Sequence, residues 1–317
     1  MVTKRSRKAR EINGIALLNK PLGMTSNQAL QQTKKLFAAA KAGHTGSLDP
    51  LATGMLPICF GFATRLSSYL LNSEKSYTVC GELGVATETG DTEGKVILRG
   101  RKLNIGQAKI TSTLELFLGD TEQIPPMYSA LKHKGRRLYD LARQGINVER
   151  EARKIYISSI SLIRYQWPEF VFTVSCSKGT YVRTLVQDIA TRLGTCAHVR
   201  SLHRNAVQPF REEQMLGMPV FSSFAEEGLN KLDELLLPPD EAIACWPRIL
   251  ISDTKRVQLL RGQTVEAEPQ WPRSQVRLYS SYEGLFGVGE VLVGGKLVPR
   301  KMMVDSPLGI KRIGRVQ

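Results

Sequence analysis

Residues 43–54 read GHTGSLDPLATG, and the rest of the chain is read outward from them. Gly43, Gly46, Pro50 and Gly54 punctuate the stretch, which predicts a loop and not the interior of a helix or strand. Pro50 pushes Asp49 toward an extended backbone and has no N–H to give a sheet ladder. The apolar run MLPICFGFA (55–63) follows at once, so the loop is expected to lie against a buried element. Asp49 is the only acid between Glu11 and Glu74. A lone carboxylate among His44, Thr45, Ser47 and Thr53 is a candidate nucleophile or general base. The same residue types also build Asx-turns, in which Asp49 would only bond its own backbone.

The chain has 317 residues, enough for two domains with ample core. Its 44 Lys and Arg against 29 Asp and Glu give +15, which favours a polyanionic partner, most simply nucleic acid. A generally basic protein with no such partner is the bland alternative. Five cysteines (Cys59, Cys80, Cys176, Cys196, Cys245) are scattered, odd in number and without C-x-x-C spacing. That argues for a reducing compartment and against zinc or a disulfide framework. No apolar run approaches the roughly 18 residues of a membrane span. The basic N-terminus has no apolar segment behind it, so no secretory signal is read. A cytoplasmic protein is expected.

Lys4, Arg5, Arg7, Lys8 and Arg10 read as a mobile basic arm. GIALLNK (14–20) predicts a buried strand. Thr25 and Gln28 have capping-box spacing, and a helix is expected over 27–40 with Leu30, Thr33, Leu36, Phe37 and Ala40 on one stripe. Phe62, Leu66, Tyr69 and Leu70 fit an amphipathic helix. SYTVCGELG (76–84) alternates as a strand, with Tyr77, Val79 and Leu83 on one face. TETGDTEGKV (87–96) reads as a turn-rich, solvated acidic loop, and its spacing fits no calcium loop. Another helix is expected over 108–118, with Ile110, Leu114 and Phe117 inward. Residues 132–154 hold eight basic side chains against three acidic ones. Within that segment Leu138, Leu141 and Ala142 form one small apolar face. FVFTVSCSKGTYVRTLVQDIATRLG (170–194) predicts a strand, a turn at Lys178–Gly179 and a helix ending at Gly194. Pro238, Pro239 and Pro247 mark a boundary, and short strands with glycine turns follow from about 251.

Several of these stretches share one resemblance. GHTGSLDPLATGMLPI resembles the catalytic motif of the TruB family of tRNA pseudouridine synthases. GIALLNKPLGMTS is similar to the family's first motif, with Asn19 where Asp is usual. QIPPMYSALKHKGRRLYDLAR, CSKGTYVRTL and HVRSLHRNAVQPF follow in the family's order. The last departs at His203, where Arg is common, and at Gln208, where Gly is common. The β-rich tail resembles a PUA-type RNA-binding module, though more weakly.

The resemblance implies an α+β pseudouridine synthase fold: a mixed, mostly antiparallel sheet with flanking helices, plus a small C-terminal PUA-like domain. Residues 1–250 would be catalytic, with a basic RNA-clamp insert near 124–152, and 251–317 PUA-like. The implied activity isomerises a uridine in the T-loop of tRNA, position 55 in tRNA numbering. Asp49 would be the nucleophile, and Arg183 would contact it and lower its pKa. Tyr77 would lie against the target base, for stacking or proton removal. Tyr181 and Leu202 would line the base pocket, and His44 would fill the space left by the flipped base. No cofactor or metal is implied. The partner is the T-arm stem-loop of tRNA, with no protein partner, no membrane and a monomeric enzyme expected. Carboxylates suit chemistry at a sugar carbon, and whether Asp49 attacks C1′ or C6 stays open. A non-catalytic RNA-binding protein on the same scaffold and a nucleoside hydrolase are the competing readings. The set Asp49, Tyr77 and Arg183 disfavours the first. The single carboxylate and the basic charge disfavour the second.

Overall fold

The structure is a computed structural model and describes residues 9–282 and 284–303. GIALLNK forms β1 (Gly14–Lys20), buried at every position but Asn19. Thr25 caps α1 (Ser26–Leu36): its hydroxyl accepts from Gln28 N–H at 3.2 Å while the Gln28 side chain accepts from Thr25 N–H at 2.9 Å. Such a cap adds about 1 kcal/mol. The helix stops short of the expected 40 because Ala38 turns left-handed, with φ of 49°. Phe37 and Ala39 stay buried in the turn that follows, and Ala40 is exposed. Of the expected basic arm, Lys4, Arg5, Arg7 and Lys8 lie outside the described residues. Arg10 is anchored: its backbone bonds Ala38 and Ala40, and its guanidinium pairs with Asp233.

The expectation of a loop across 43–54 holds only for its middle. β2 (Ala42–His44) and β3 (Ala52–Phe60) take up both ends, so Gly43 and Gly54 are strand residues. Gly54 is needed there because the neighbouring strand comes very close. Its φ is +98°, and a Cβ would lie 2.3 Å from the Arg204 carbonyl oxygen.

A short 3-10 turn over 61–65 leads into α2 (Ser67–Asn72), which together bury Ala63, Leu66 and Leu70. β4 (Lys75–Leu83) sends Tyr77, Val79 and Leu83 into one core. β5 (Val85–Thr87) and β6 (Val96–Arg99) make a hairpin flanking the acidic loop. α3 (Gln107–Glu115) buries Ile110 and Leu114, and β7 (Gly119–Gln123) follows. In the basic insert only small elements form: β8 (Lys132–His133), β9 (Arg136–Arg137) and α4 (Leu138–Ala142), with Leu138 and Leu141 buried. β10 (Arg153–Gln166) and β11 (Glu169–Cys176) form a long hairpin. α5 (Val182–Arg192) buries Val182, Leu185, Val186 and Ile189 and ends at Gly194, φ +80°. β12 (Ala197–Val207), β13 (Leu216–Gly217), α6 (Met218–Glu227) and α7 (Leu229–Asp233) complete this part.

Among the described residues the main sheet has nine strands in the order β13–β1–β3–β12–β4–β11–β10–β7, with β2 on β3. Only β1–β13 and β3–β12 run parallel, so the sheet is mixed and mostly antiparallel. The fold is α+β. The parallel contact matters most for function. It sets Leu202 and Arg204 of β12 beside Ala52 and Gly54, at the exit of the Asp49 loop.

A second sheet contains β14 (Arg248–Leu250), β15 (Val265–Glu266), β16 (Gln275–Ser280), β17 (Gly284–Val291) and β18 (Lys296–Met302). One helix, α8 (Asp253–Leu260), joins the expected short strands and buries Leu259. This PUA-like unit docks on the main body. Val288 and Met303 pack with Ala63 and Leu66, and Lys301 Nζ donates to Arg65 O at 2.9 Å. Among the described residues no helix is long and apolar enough to cross a membrane.

Gly54→Ala should destabilise the chain by about 2–5 kcal/mol, from left-handed strain plus a backbone clash. Chemical denaturation checks this. An unchanged midpoint would mean that β3 and β12 can part without cost.

Candidate active site

The Asp49 loop is held at nearly every residue. Ser26, the first residue of α1, bonds Leu48 twice: its hydroxyl accepts from Leu48 N–H at 2.7 Å and donates to Leu48 O at 3.0 Å. Asp49 O accepts from Ala52 N–H at 3.0 Å, and Pro50 O accepts from Gly23 N–H at 2.8 Å. Lys20, wholly buried, donates to Pro21 O at 2.9 Å, to Met24 O at 2.5 Å and more loosely to Pro50 O at 3.4 Å. Burial lowers its pKa to about 8, while the Asp49 charge opposes the shift. Arg204 donates from Nη2 to Gly46 O at 3.0 Å and from Nε to Met55 O at 2.7 Å. A loop so tied presents the Asp49 carboxylate with little freedom.

Arg183 meets that carboxylate. Its Nε lies 2.8 Å from Asp49 Oδ2 and 3.8 Å from Asp91 Oδ2. Nη1 donates to Thr89 O at 2.6 Å, and Nη2 donates to Tyr128 O at 2.7 Å. The guanidinium is buried, so it is no ordinary solvated helix side chain.

One sequence expectation fails here, and a second gives only part of the balance. The acidic loop is not solvated throughout: Asp91 is only 3% exposed. Its carboxylate accepts from Glu93 N–H at 3.1 Å and from the Thr89 hydroxyl. Thr92 N–H donates to Val199 O at 3.2 Å, which docks the loop on β12. The cleft therefore holds two carboxylates on one arginine, where the sequence suggested one. Arg183 also does not set the net direction of the Asp49 pKa. The carboxyl lies deep in the cleft, although 41% of its side chain is still accessible, and loss of surrounding water raises its pKa. Arg183 and Lys20 oppose that rise, and Asp91 adds to it.

Tyr77, Leu202 and Leu48 share one core cluster beneath the loop. Tyr77 stands directly opposite Arg204 across β4 and β12, and the Arg204 charge acts on its phenol. Burial raises the Tyr77 phenol pKa, and Arg204 opposes the rise. His44 lies on β2, and its Nδ1 is buried with no hydrogen-bond partner among the described residues. Burial and the Arg204 charge lower its pKa, so the ring is neutral at neutral pH.

Tyr181 is the N-cap residue of α5 and is half-buried. Buried Gln123 pins its backbone, accepting from Tyr181 N–H at 2.7 Å and donating to Tyr181 O at 3.1 Å. His203 bonds the Thr53 hydroxyl at 2.8 Å through Nδ1, and Gln208 N–H donates to Glu74 O at 3.0 Å. Both departures from the family pattern are thus structurally accommodated.

Asp49 and Arg183 therefore meet directly, and Tyr77, Leu202, His44 and Tyr181 lie on the elements around them. Sequence reasoning missed Asp91, Lys20, Ser26, Gln123 and Arg204. Lys20, Ser26, Gln123 and Arg204 all lie inside stretches quoted for the resemblance, and Asp91 does not. Among the described residues no group of three or more His, Cys, Asp and Glu is placed to hold a metal.

Comparison with known proteins gives one consistent result. Residues 34–182 match the TruB family pseudouridylate synthase (N terminal domain) model. Residues 183–244 match the tRNA pseudouridylate synthase B C-terminal domain, and 247–303 match Pseudouridine synthase II TruB, C-terminal. The chain is 44% identical over 305 residues to tRNA pseudouridine synthase B of Sodalis glossinidius (strain morsitans), covering 95% of this chain and 98% of that one. It is 45% identical over 296 residues to tRNA pseudouridine synthase B of Pseudomonas paraeruginosa, covering 93% and 97%. A chain of a Cbf5-Nop10-Gar1 complex has a TM-score of 0.71 at 23% identity, covering 92% of this chain and 85% of that one. That last likeness is one of fold.

The raised Asp49 pKa has a consequence for stability. A carboxyl whose pKa is higher folded than unfolded stabilises the fold below its unfolded value and loses that contribution as pH rises through the folded value. Asp49→Asn should therefore melt at or above the parent at neutral pH, with the advantage shrinking toward acid. An Asn variant that melts lower at neutral pH and recovers in acid would show that Arg183 outweighs burial.

Proposed function

The chain belongs to the TruB family of pseudouridylate synthases, and from that membership we propose how its cleft works. The protein is a tRNA pseudouridine synthase, an isomerase. Its target is the uridine at position 55 in the T-loop, which must leave its stack to reach the cleft. Asp49 is the nucleophile and attacks C1′ or C6 of the flipped nucleotide. The N1–C1′ bond breaks, the base turns, and C5 joins C1′. The proton on C5 is lost, and N1 gains one, so the product is an isomer.

The observation that carries this reading is the 2.8 Å pair between Arg183 Nε and Asp49, on a loop fixed at both sides of the aspartate. The pair favours the anion that the chemistry needs, against the burial that disfavours it. Tyr77 and Leu202 supply the surface for the base, and Tyr181 closes its edge. His44, neutral and with a free Nδ1, is suited to replace the extruded base in the RNA stack. The five free cysteines support a cytoplasmic setting, and the enzyme acts as a monomer.

Residues 1–250 supply the chemistry, and the PUA-like unit adds RNA contacts. Residues 124–152 form a clamp. Lys132, Arg136, Arg137 and Arg143 surround a shallow basic hollow of about 620 Å³. Only Leu138 and Leu141 anchor the included helix, and Gly135 and Gly145 interrupt the segment. Its basic groups repel one another until phosphate neutralises them, so ordering couples to binding.

Asp49→Asn should abolish tritium release from a C5-labelled T-arm stem-loop while RNA affinity stays within about tenfold, or roughly 1.4 kcal/mol. Product above a trace would remove Asp49 from its role.

Limited trypsin digestion tests the clamp. Cleavage after Arg136, Arg137 or Arg143 should be fast in the free protein and strongly slowed by tRNA. Equal rates with and without tRNA would mean that the segment does not close on substrate.

A further inference from the structure

Arg204 is the largest fully buried side chain, at 1% exposure, and no carboxylate pairs with it among the described residues. An arginine so placed is costly, because its charge is taken from water without a counter-ion. An apolar side chain is the usual filler of such a place. The cost needs a reason, and its partners suggest one. Nε holds Met55 O on β3, Nη2 holds Gly46 O in the Asp49 loop, and Tyr77 on β4 lies directly opposite across the strand pair. Three separate segments thus meet around one side chain.

The strand register makes the Tyr77 placement specific. Arg204 faces Tyr77 across the antiparallel β12–β4 pair, so both side chains project to the same face. On its other side Arg204 faces Gly54 across the parallel β12–β3 pair, where the absent side chain allows the close approach. Two carbonyls fix the guanidinium, and its charge acts on the phenol. Lysine would keep the charge but lacks a rigid fork to span both carbonyls.

We propose that Arg204 is a positioning residue that holds the Tyr77 hydroxyl in register with the Asp49 loop and acts on the reaction through Tyr77. This rests on the reading that Tyr77 lies against the target base. Arg204 also opposes the rise that burial imposes on the phenol pKa, so the same residue tunes the oxygen that it aims.

The test compares Arg204→Lys, Tyr77→Phe and the double variant in single-turnover modification of a T-arm stem-loop, below the melting point of the least stable chain. Arg204→Lys should slow modification by about tenfold or more with RNA affinity within about threefold. In the Tyr77→Phe background the same change should cost less than about twofold, because its route is already cut. Equal losses in both backgrounds, or a loss confined to affinity, would overturn the inference and leave Tyr77 at the base. A fully active Tyr77→Phe would overturn the Tyr77 reading and the inference together. A second measurement needs no change at 204. The Arg204 Nε–H resonance should shift, and its hydrogen exchange should quicken, in Tyr77→Phe. An unmoved resonance with unchanged exchange would also overturn the inference.

Discussion

The ion pair between Arg183 and Asp49 is the contact on which the cleft depends. The same guanidinium reaches Asp91, the Thr89 carbonyl and the Tyr128 carbonyl, so three other chain segments converge on it. Removing Arg183 would leave two carboxylates without the cation that they share. One of them, Asp49, stands in a cleft that already disfavours its charge. Two acids sharing one arginine is a narrow balance. Asp91 raises the Asp49 pKa and Arg183 lowers it, with burial the largest influence of all. Under the proposed role of Asp49 as nucleophile, that balance would keep its carboxylate ionised yet partly stripped of water.

That poise would be lost if the loop could relax. The loop is short of regular structure, yet Ser26, Lys20, Gly23 and Arg204 hold its backbone from the outside. These anchors come from β1, from the capped end of α1 and from β12. The mixed sheet makes this possible. Parallel pairing of β3 with β12 brings the loop's exit beside the strand that carries Leu202 and Arg204. Antiparallel pairing of β12 with β4 brings Tyr77 to the same place. Orientation of this kind can supply a large part of a rate enhancement without any new contact to substrate.

The parts of the fold that follow local rules were legible in the sequence. The Thr25–Gln28 cap, the alternation of Tyr77, Val79 and Leu83, and the Gly194 helix end each depend on near neighbours. The resemblance carried the assignment of Asp49 and Arg183, since nothing local distinguishes Asp49 from a turn residue. What remained hidden was set by long-range contact. Asp91 looks solvated in TETGDTEGKV, because its burial comes from β12 and α5, which lie about a hundred residues on in the sequence. Arg204 looks like one more basic residue, because its environment is assembled from three strands. Glycines misled for a physical reason. At Gly54 the residue marks a close approach between strands and not the end of one.

The Tyr128 carbonyl gives the clamp a direct line to the chemistry. Tyr128 sits at the start of the basic insert, and Arg183 Nη2 is bonded to its backbone. Its hydroxyl donates to Glu88 at 2.5 Å, on the loop that carries Asp91. The insert is therefore fastened to Arg183 itself and to the loop that carries Asp91, and to little apolar core. Under the proposed clamp motion, phosphate contact at Lys132, Arg136 and Arg137 would bear on the same segment that holds Arg183. Substrate binding and alignment of the Asp49 pair would then be one coupled step. Such coupling would favour reaction only with an RNA long enough to reach the insert while its uridine occupies the cleft.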